Sequence, residues 1–324
     1  MRTGSEATGF IWSLGYALAS DVSPFRGKLP PDYSTSDISQ FMDPRRYARR
    51  VKEGDVVWVA SRFLPHFIDD CIPRLRARVS LVVSDGDESF PSSLPGSINV
   101  QDFLDDARLL TVFAQNADGT CKHPKIRPLP IGLDFHTINR KGGYWGEKQR
   151  TAQGQERELA SLIAKLPPIE QRIPKAFVDF HLSDRRTYDG TRRSDIFRAV
   201  NDPRCIDVAE GFLPRYELWA KKGHYAFSIS PHGNGLDCHR TWEDLALGCV
   251  VIVKTSALDP LYEGLPVVIV KEWSEITPDA LEAWKAQFVG AAKETIGRER
   301  LTLAYWMKRI RAETRRALAE GKQA

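Results

Sequence analysis

Between two apolar runs, the stretch SISPHGNGLDCHRTWEDLALGCVVIVK, residues 228–254, gathers His232, Gly233, Asn234, Gly235, Asp237, His239, Arg240 and Glu243. A turn of this make-up is equipped to hold an anion. Gly233 and Gly235 allow positive φ and close backbone approach to a ligand. Asp237 stands where a helix N-cap belongs, and the free N–H groups behind it favour negative charge. Arg240 in the first turn and Glu243 three residues later share one helix face. There a guanidinium suits a phosphate, and a carboxylate suits the paired hydroxyls of a ribose. The same spacing also describes a surface ion pair worth under ~1 kcal/mol. His232, directly after the strand, reads either as a diphosphate donor or as a satisfied buried imidazole. Trp242, Leu245 and Ala246 form the core-facing stripe, and Gly248 falls where a left-handed residue ends a helix. A P-loop is excluded because no Gly-Lys-Ser/Thr follows the glycines. A dinucleotide fingerprint is poorly matched, since only Gly-x-Gly is present. A metal cluster of His232, Asp237, Cys238 and His239 is disfavoured because adjacent residues at a helix start point apart.

Three other groups carry chemistry. SDRRTYDGTRRSD, residues 183–195, places Arg185, Arg186, Arg192 and Arg193 beside a helix start, as an anion clamp or as a solvated basic loop. Asp85, Asp87 and Glu88 follow an apolar run at its carboxyl end, where a carboxylate can accept a proton from a hydroxyl. Of these Asp87 is slightly preferred, although strand-ending aspartates also serve as turn formers. Asp85-Gly86-Asp87 has, besides, the spacing of a metal-holding Asp-x-Asp pair. His136, after PIGLD, is the third group.

These residues need elements to position them. DVVWVAS (55–61), RVSLVVSDGD (78–87), LLTVFAQN (109–116) and IRPLPIGLD (126–134) read as strands, the last weakened by its prolines. SINVQDFLDDA supplies a short amphipathic helix between the second and third. The glycine-rich, charged segment 139–155 reads as a linker or mobile loop. ERELASLIAKL (156–166) resumes helical spacing until Pro167 and Pro168. Beyond it the alternation restarts, with strands at 175–183, 224–231, 249–254 and 265–273, a short one in CIDVAEG, and helices in RSDIFRAV, LPRYELWAKK and CHRTWEDLAL. Pro278 opens a further helix, where its missing N–H is harmless, and 291–321 reads as a long terminal helix. Strands separated by crossovers predict parallel, doubly wound sheets. The expected organisation is two α/β domains, 1–155 and 156–324.

Composition narrows the class. The chain has 324 residues, 42 % hydrophobic and 27 % charged, as in soluble globular enzymes. A net charge of +4 is too small and evenly spread for nucleic acid, but leaves room for a local basic pocket. Five cysteines without CxxC spacing point away from disulfides and zinc ribbons and toward a reducing cytosol. GFIWSLGYALAS, residues 9–20, reads as a buried first element, with a signal peptide as the alternative. No run reaches the ~18 apolar residues of a spanning helix, though peripheral membrane contact stays open.

Residues 227–276, FSISPHGNGLDCHRTWEDLALGCVVIVKTSALDPLYEGLPVVIVKEWSEI, resemble the donor-binding segment of exostosin-like glycosyltransferases. LVVSDGDESFP and VFAQNADGTCKHPKIRPLPIGLDFHT resemble their N-terminal half, so that the likeness spans roughly 78–137 and 175–284. The resemblance implies the GT-B type: two Rossmann-like domains facing a cleft, the C-terminal one holding a nucleotide-sugar. It implies sugar transfer, hexosyl or pentosyl, from a UDP- or GDP-linked donor to a glycan or other hydroxyl acceptor, inverting, without cofactor or metal. His232, Gly233, Asn234, Gly235, Arg240, Glu243, Arg186, Arg192 and Arg193 would then bind the donor. His136 would meet acceptor or phosphate, and Asp87, Asp85 or Glu88 would be the base. Family members with a larger N-terminal domain differ from this chain, which leaves the acceptor open. The competing classes are a non-catalytic nucleotide-sugar or glycan receptor and a magnesium-dependent hydrolase or phosphatase using Asp85 and Asp87.

Overall fold

The computed structural model describes residues 8–25, 29, 43–140, 142–180, 190, 192–200, 202–291 and 298–320. The chain divides into two units, one of residues 1–131 with 302–324, the other of residues 132–301.

In the first unit, β1 (Asp55–Ala60), β2 (Val79–Ser84), β3 (Leu109–Ala114) and β4 (Ile126–Pro128) form one parallel sheet in the order β1-β2-β3-β4. The register sets Val57 beside Leu81, and Leu81 beside Val112. All residues of β2 and β3 are buried, which is why these strands read as unbroken apolar runs rather than alternating ones. β4 stops at Pro128 rather than running to 134: Pro130 has no N–H for a ladder, and Gly132 turns to φ +73°.

The helix Ser13–Ala19 buries Leu14, Tyr16 and Ala17, matching the expectation of a buried first element. The terminal helix Leu303–Glu320 buries Trp306, Met307 and Ile310. Its Thr314 hydroxyl donates to Ser80 Oγ at 2.8 Å, and Thr111 donates to the same oxygen at 2.7 Å. Polar groups this deep stay only because they satisfy one another. Arg311 grips both carboxylate oxygens of Asp21 at 2.8 and 2.9 Å. Gly54, at φ +80°, lies under Leu318, whose Cδ1 would be 2.6 Å from an added Cβ.

In the second unit, β5 (Ile173–Val178), β6 (Ile206–Val208), β7 (Tyr225–Ile229), β8 (Val250–Lys254) and β9 (Val267–Val270) form a parallel sheet ordered β6-β5-β7-β8-β9. From β5 the chain steps outward to β6, returns past β5 to β7, and continues the other way. This reversal is the Rossmann-like switch point, outside whose carboxyl ends α/β sheets bind ligands. Ala176, Val178, Phe227, Ile229, Val250 and Ile252 build the core with Trp273, Ile276 and Leu281. Both units are therefore α/β and Rossmann-like.

Three expectations about organisation are corrected. The division falls at 131/132 rather than 155/156, and the terminal helix belongs to the first unit. Residues 142–155 are not a free linker. Thr151 Oγ1 accepts the Gly154 N–H at 3.1 Å and caps the helix Ala152–Ile163, while Glu147 Oε1 accepts the Tyr216 N–H at 3.0 Å. The helix expected from Pro278 is Pro278–Ala291, and the terminal helix begins at Leu303 rather than at 291, running Leu303–Glu320. Among the described residues no helix is long and apolar enough to cross a membrane.

Candidate functional site

β5 and β7 end at the switch point with Asp179 and His232 among the residues that follow. Asp179 is buried. Its Oδ1 lies 3.0 Å from Arg240 Nε and its Oδ2 2.5 Å from Lys222 Nζ. Lys222, at the end of the helix Arg215–Lys222, also meets Asp244 Oδ1 at 2.8 Å. The Ser228 hydroxyl donates to Asp244 Oδ2. Two carboxylates and two cations thus close a neutral network at the sheet's carboxyl edge. Burial alone would raise Asp179, but Lys222 and Arg240 hold it below the ordinary carboxylate range. Asp244 faces only the Lys222 cation directly, so burial prevails and pushes it up to about 6.

Arg240 starts the helix His239–Ala246. Its guanidinium sits 5.5 Å above the Phe180 ring and 3.6 Å from Cys238 Sγ. Burial opposes its charge, but Cys238, Asp179 and Asp244 keep it above the ordinary arginine range. Arg193 approaches from the other side and donates through Nε to the His232 carbonyl at 3.4 Å. No carboxylate forms an ion pair with Arg193 among the described residues. Its charge is disfavoured first by burial and then by Arg240. Two guanidiniums close enough to repel, with only Arg240 in an ion pair among the described residues, are suited to sharing an anion.

The glycine-bearing bend differs from expectation. Neither Gly233 nor Gly235 takes positive φ; Gly248 does, at +77°, ending the helix as predicted. The Gly233 N–H is used within the bend, donating to the Gly235 carbonyl at 3.1 Å. Gly233 lies beside Arg193, and an added Cβ would meet Nη2 at 3.7 Å, an ordinary van der Waals contact. Asp237 is not the cap either. Cys238 occupies that position without a side-chain bond, and Asp237 turns inward to accept the Trp242 indole N–H at 3.0 Å. His232 Nδ1 donates to the Leu236 carbonyl at 2.8 Å, which leaves Nε2 as an acceptor. Asn234 is exposed on the bend and Arg192 is exposed beside it. Arg185 and Arg186 lie outside the described residues.

Glu243 does not pair with Arg240. Its Oε1 accepts from Arg215 Nη2 and, at 3.3 Å, from the Asp134 backbone N–H. Its Oε2 accepts the Trp219 indole N–H at 3.3 Å. Arg215 in turn stacks 4.4 Å over Trp219 and donates to Gln155 at 3.2 Å. Below Glu243, Asp134, His136 and His239 each bring one donor atom within 4.8 Å of the others. Burial opposes the Asp134 charge, but His136, Arg215 and His239 keep it well below the ordinary range, whereas burial lowers His239.

In the first unit, Asp85, Asp87 and Glu88 do follow β2. Asp85 is buried, at φ +66°, and its N–H donates to Gln115 Oε1 at 3.2 Å. Glu88 accepts from the Ser61 hydroxyl at 3.0 Å. Asp87 alone of the three is exposed.

The sequence reading missed Asp179, Lys222, Asp244, Arg215 and Asp134 as site members, and weighed His239 only in a disfavoured metal cluster with His232, Asp237 and Cys238. A signal existed for two of them. Asp179 interrupts the apolar run KAFVDF, marking where the strand ends, and Asp244 lies on the buried stripe with Thr241 and Leu245. Lys222 and Arg215 look like ordinary helix-end cations.

The chain matches no protein-family model and no curated protein. Among solved structures it is similar to an α,α-trehalose-6-phosphate synthase from Burkholderia multivorans, at 14 % identity and a TM-score of 0.44, covering 86 % of this chain and 74 % of that one. It is also similar to the E. coli trehalose-6-phosphate protein bound with UDP-2-fluoro glucose, at 10 % identity and a TM-score of 0.39, covering 83 % and 75 %. A third is a GtfA/B complex, at 10 % identity and a TM-score of 0.36, covering 87 % and 60 %.

Proposed function

We propose that the protein is a glycosyltransferase of the GT-B, exostosin-like kind, moving a hexosyl or pentosyl group from a UDP- or GDP-sugar to a hydroxyl acceptor in the cytosol. The observation that carries this reading is the pair Arg193 and Arg240 at the β5/β7 switch point, beside Gly233. A donor diphosphate accepts charge-assisted hydrogen bonds from the two guanidiniums and from Asn234 and Arg192, with Arg186 a further candidate donor and His232, its Nδ1–H committed to Leu236, holding the bend. Fixed donors of this sort stabilise the leaving nucleotide as the glycosidic bond breaks. That arrangement needs no metal at the diphosphate. Glu243, oriented by Arg215 and Trp219, retains lone pairs for the ribose hydroxyls. Asp87, whose carboxylate is exposed, takes the acceptor proton for inversion, with Asp85 holding the turn and Glu88 beside it. His136 is the candidate to contact acceptor or phosphate.

The test is a thermal-shift series with UDP, GDP, CMP and their sugars. A ligand at a hundred times its Kd stabilises by about 2.7 kcal/mol. One of the diphosphates is expected to raise Tm for wild type and much less for Arg193→Gln, a substitution that breaks no ion pair seen in the structure. Equal shifts in both proteins, or none with any nucleotide, overturn the assignment.

A further inference from the structure

We infer that Asp134, His136 and His239 form a binding site for one divalent transition-metal ion of the zinc type. The inference does not depend on the transferase reading, and no step of the proposed transfer runs through the ion.

The donor set is two imidazole nitrogens and one carboxylate oxygen, with each donor atom within 4.8 Å of the others. Three protein ligands with a remaining open position is the pattern of exchangeable zinc sites. The contact between His136 Nδ1 and Asp134 Oδ1, at 3.1 Å, is especially informative. That nitrogen is buried and has no hydrogen-bond partner among the described residues. A nitrogen and an oxygen this close, without a hydrogen bond joining them, are spaced as neighbouring ligands of one ion. Bond lengths of ~2.0–2.1 Å around zinc separate ligand atoms by roughly 3.3 Å.

The surroundings supply what a metal ligand needs. His239 Nδ1 donates to the Gly132 carbonyl at 2.7 Å, which fixes the tautomer and leaves the Nε2 lone pair available. A ligating histidine ordinarily donates its other N–H to just such a carbonyl. The Thr137 N–H holds Asp134 Oδ1 at 3.0 Å, and the two rings lie 5.2 Å apart at 49°. Glu243 and Arg215 nearby cancel each other's charge, so Asp134 leaves the neutral-imidazole site at minus one, favourable to a dication. Closing the widest donor pair asks for a shift of up to about 1.5 Å, within reach of the His136 ring, which is 27 % exposed.

The full chain, stripped with EDTA and dialysed, is titrated with Co²⁺ and Zn²⁺ in the absence of nucleotide. The expected result is one equivalent per chain, visible Co²⁺ d–d absorption, and its displacement by Zn²⁺. His136→Ala and Asp134→Asn should each weaken zinc binding by at least roughly a hundredfold. His123→Ala, which removes the imidazole beside Asp105 in the first unit, should leave binding unchanged. Circular dichroism establishes that each variant is folded before titration, and the partly exposed His136 position keeps the test available if Asp134→Asn unfolds. Wild type that takes up no stoichiometric metal, or a folded His136→Ala that binds as wild type, overturns the site.

Discussion

The neutral network around Lys222 makes a strong demand on stability, and Asp179→Asn is the change that exposes it. Asp179 and Asp244 balance Lys222 and Arg240, with contacts of 2.5, 2.8 and 3.0 Å. Lys222 is 1 % exposed and Asp244 is fully buried. Asparagine keeps the shape but removes one negative charge, so two cations share one carboxylate and Arg240 loses its partner. Removing one member of a buried ion pair costs about 3–5 kcal/mol. That corresponds to roughly a hundredfold to a few thousandfold in the folded population. Hydrogen exchange by mass spectrometry reads this unit by unit. Amides of β7, residues 225–229, should lose protection by that factor. Amides of β2, residues 79–84, belong to the other unit and serve as the internal reference. Adding Lys222→Met to Asp179→Asn should recover part of the loss, because it restores the charge balance, leaving Asp244 and Arg240 as one negative and one positive group. Loss of protection below tenfold in Asp179→Asn would refute the account, since that is the behaviour of an exposed pair.

Asp244 gives a pH signature. Its folded carboxyl is raised from 3.8 to about 6, so its stabilising contribution is complete below about 3.8 and is lost as pH rises through about 6. The stability of wild type relative to Asp244→Asn should therefore fall by up to about 3 kcal/mol between pH 4 and 7 in urea titrations, and a constant difference would contradict this. Gly54→Ala should destabilise the first unit by about 1–3 kcal/mol, because it strains a φ of +80° and strikes Leu318; an unchanged denaturation midpoint would detach the terminal helix from this unit. Gly86→Ala places a Cβ 2.0 Å from Glu88 Oε2 and 2.3 Å from Ser61 Oγ. Transfer that depends on this carboxylate turn should fall by roughly tenfold or more, with nucleotide affinity preserved.

The strands were legible where both faces are buried. VVWVA, VSLVVS and LLTVFA have only one sensible reading as unbroken β-branched runs. Their neighbours were not legible, because periodicity says which way a side chain points and nothing about which strand lies alongside. The β6-β5-β7 reversal, and with it the meeting of Asp179, Arg193 and Arg240, is a long-range fact. Arg240 and Glu243 were read as two ends of one grip from their spacing alone. Their actual partners, Asp179 for one and Arg215 and Trp219 for the other, come from elements distant in sequence. Glycine and charge made 139–155 look like a tether, while Thr151 caps the helix that begins within it and Glu147 ties it to the Tyr216 N–H. Asp134 and His239 stand 105 positions apart in the numbering, so no local pattern announces their meeting.

The first unit is written in two instalments, with the whole of the second unit between them. A ribosome therefore delivers residues 132–301 before it delivers Trp306, Met307 and Ile310, the side chains that cover part of the opening sheet. The half made later can settle into its final form during synthesis, whereas the half begun earlier must wait, partly uncovered, until the last helix emerges. Birth order and completion order are reversed, and a nascent chain halted near residue 300 should carry a finished second unit and an unfinished first.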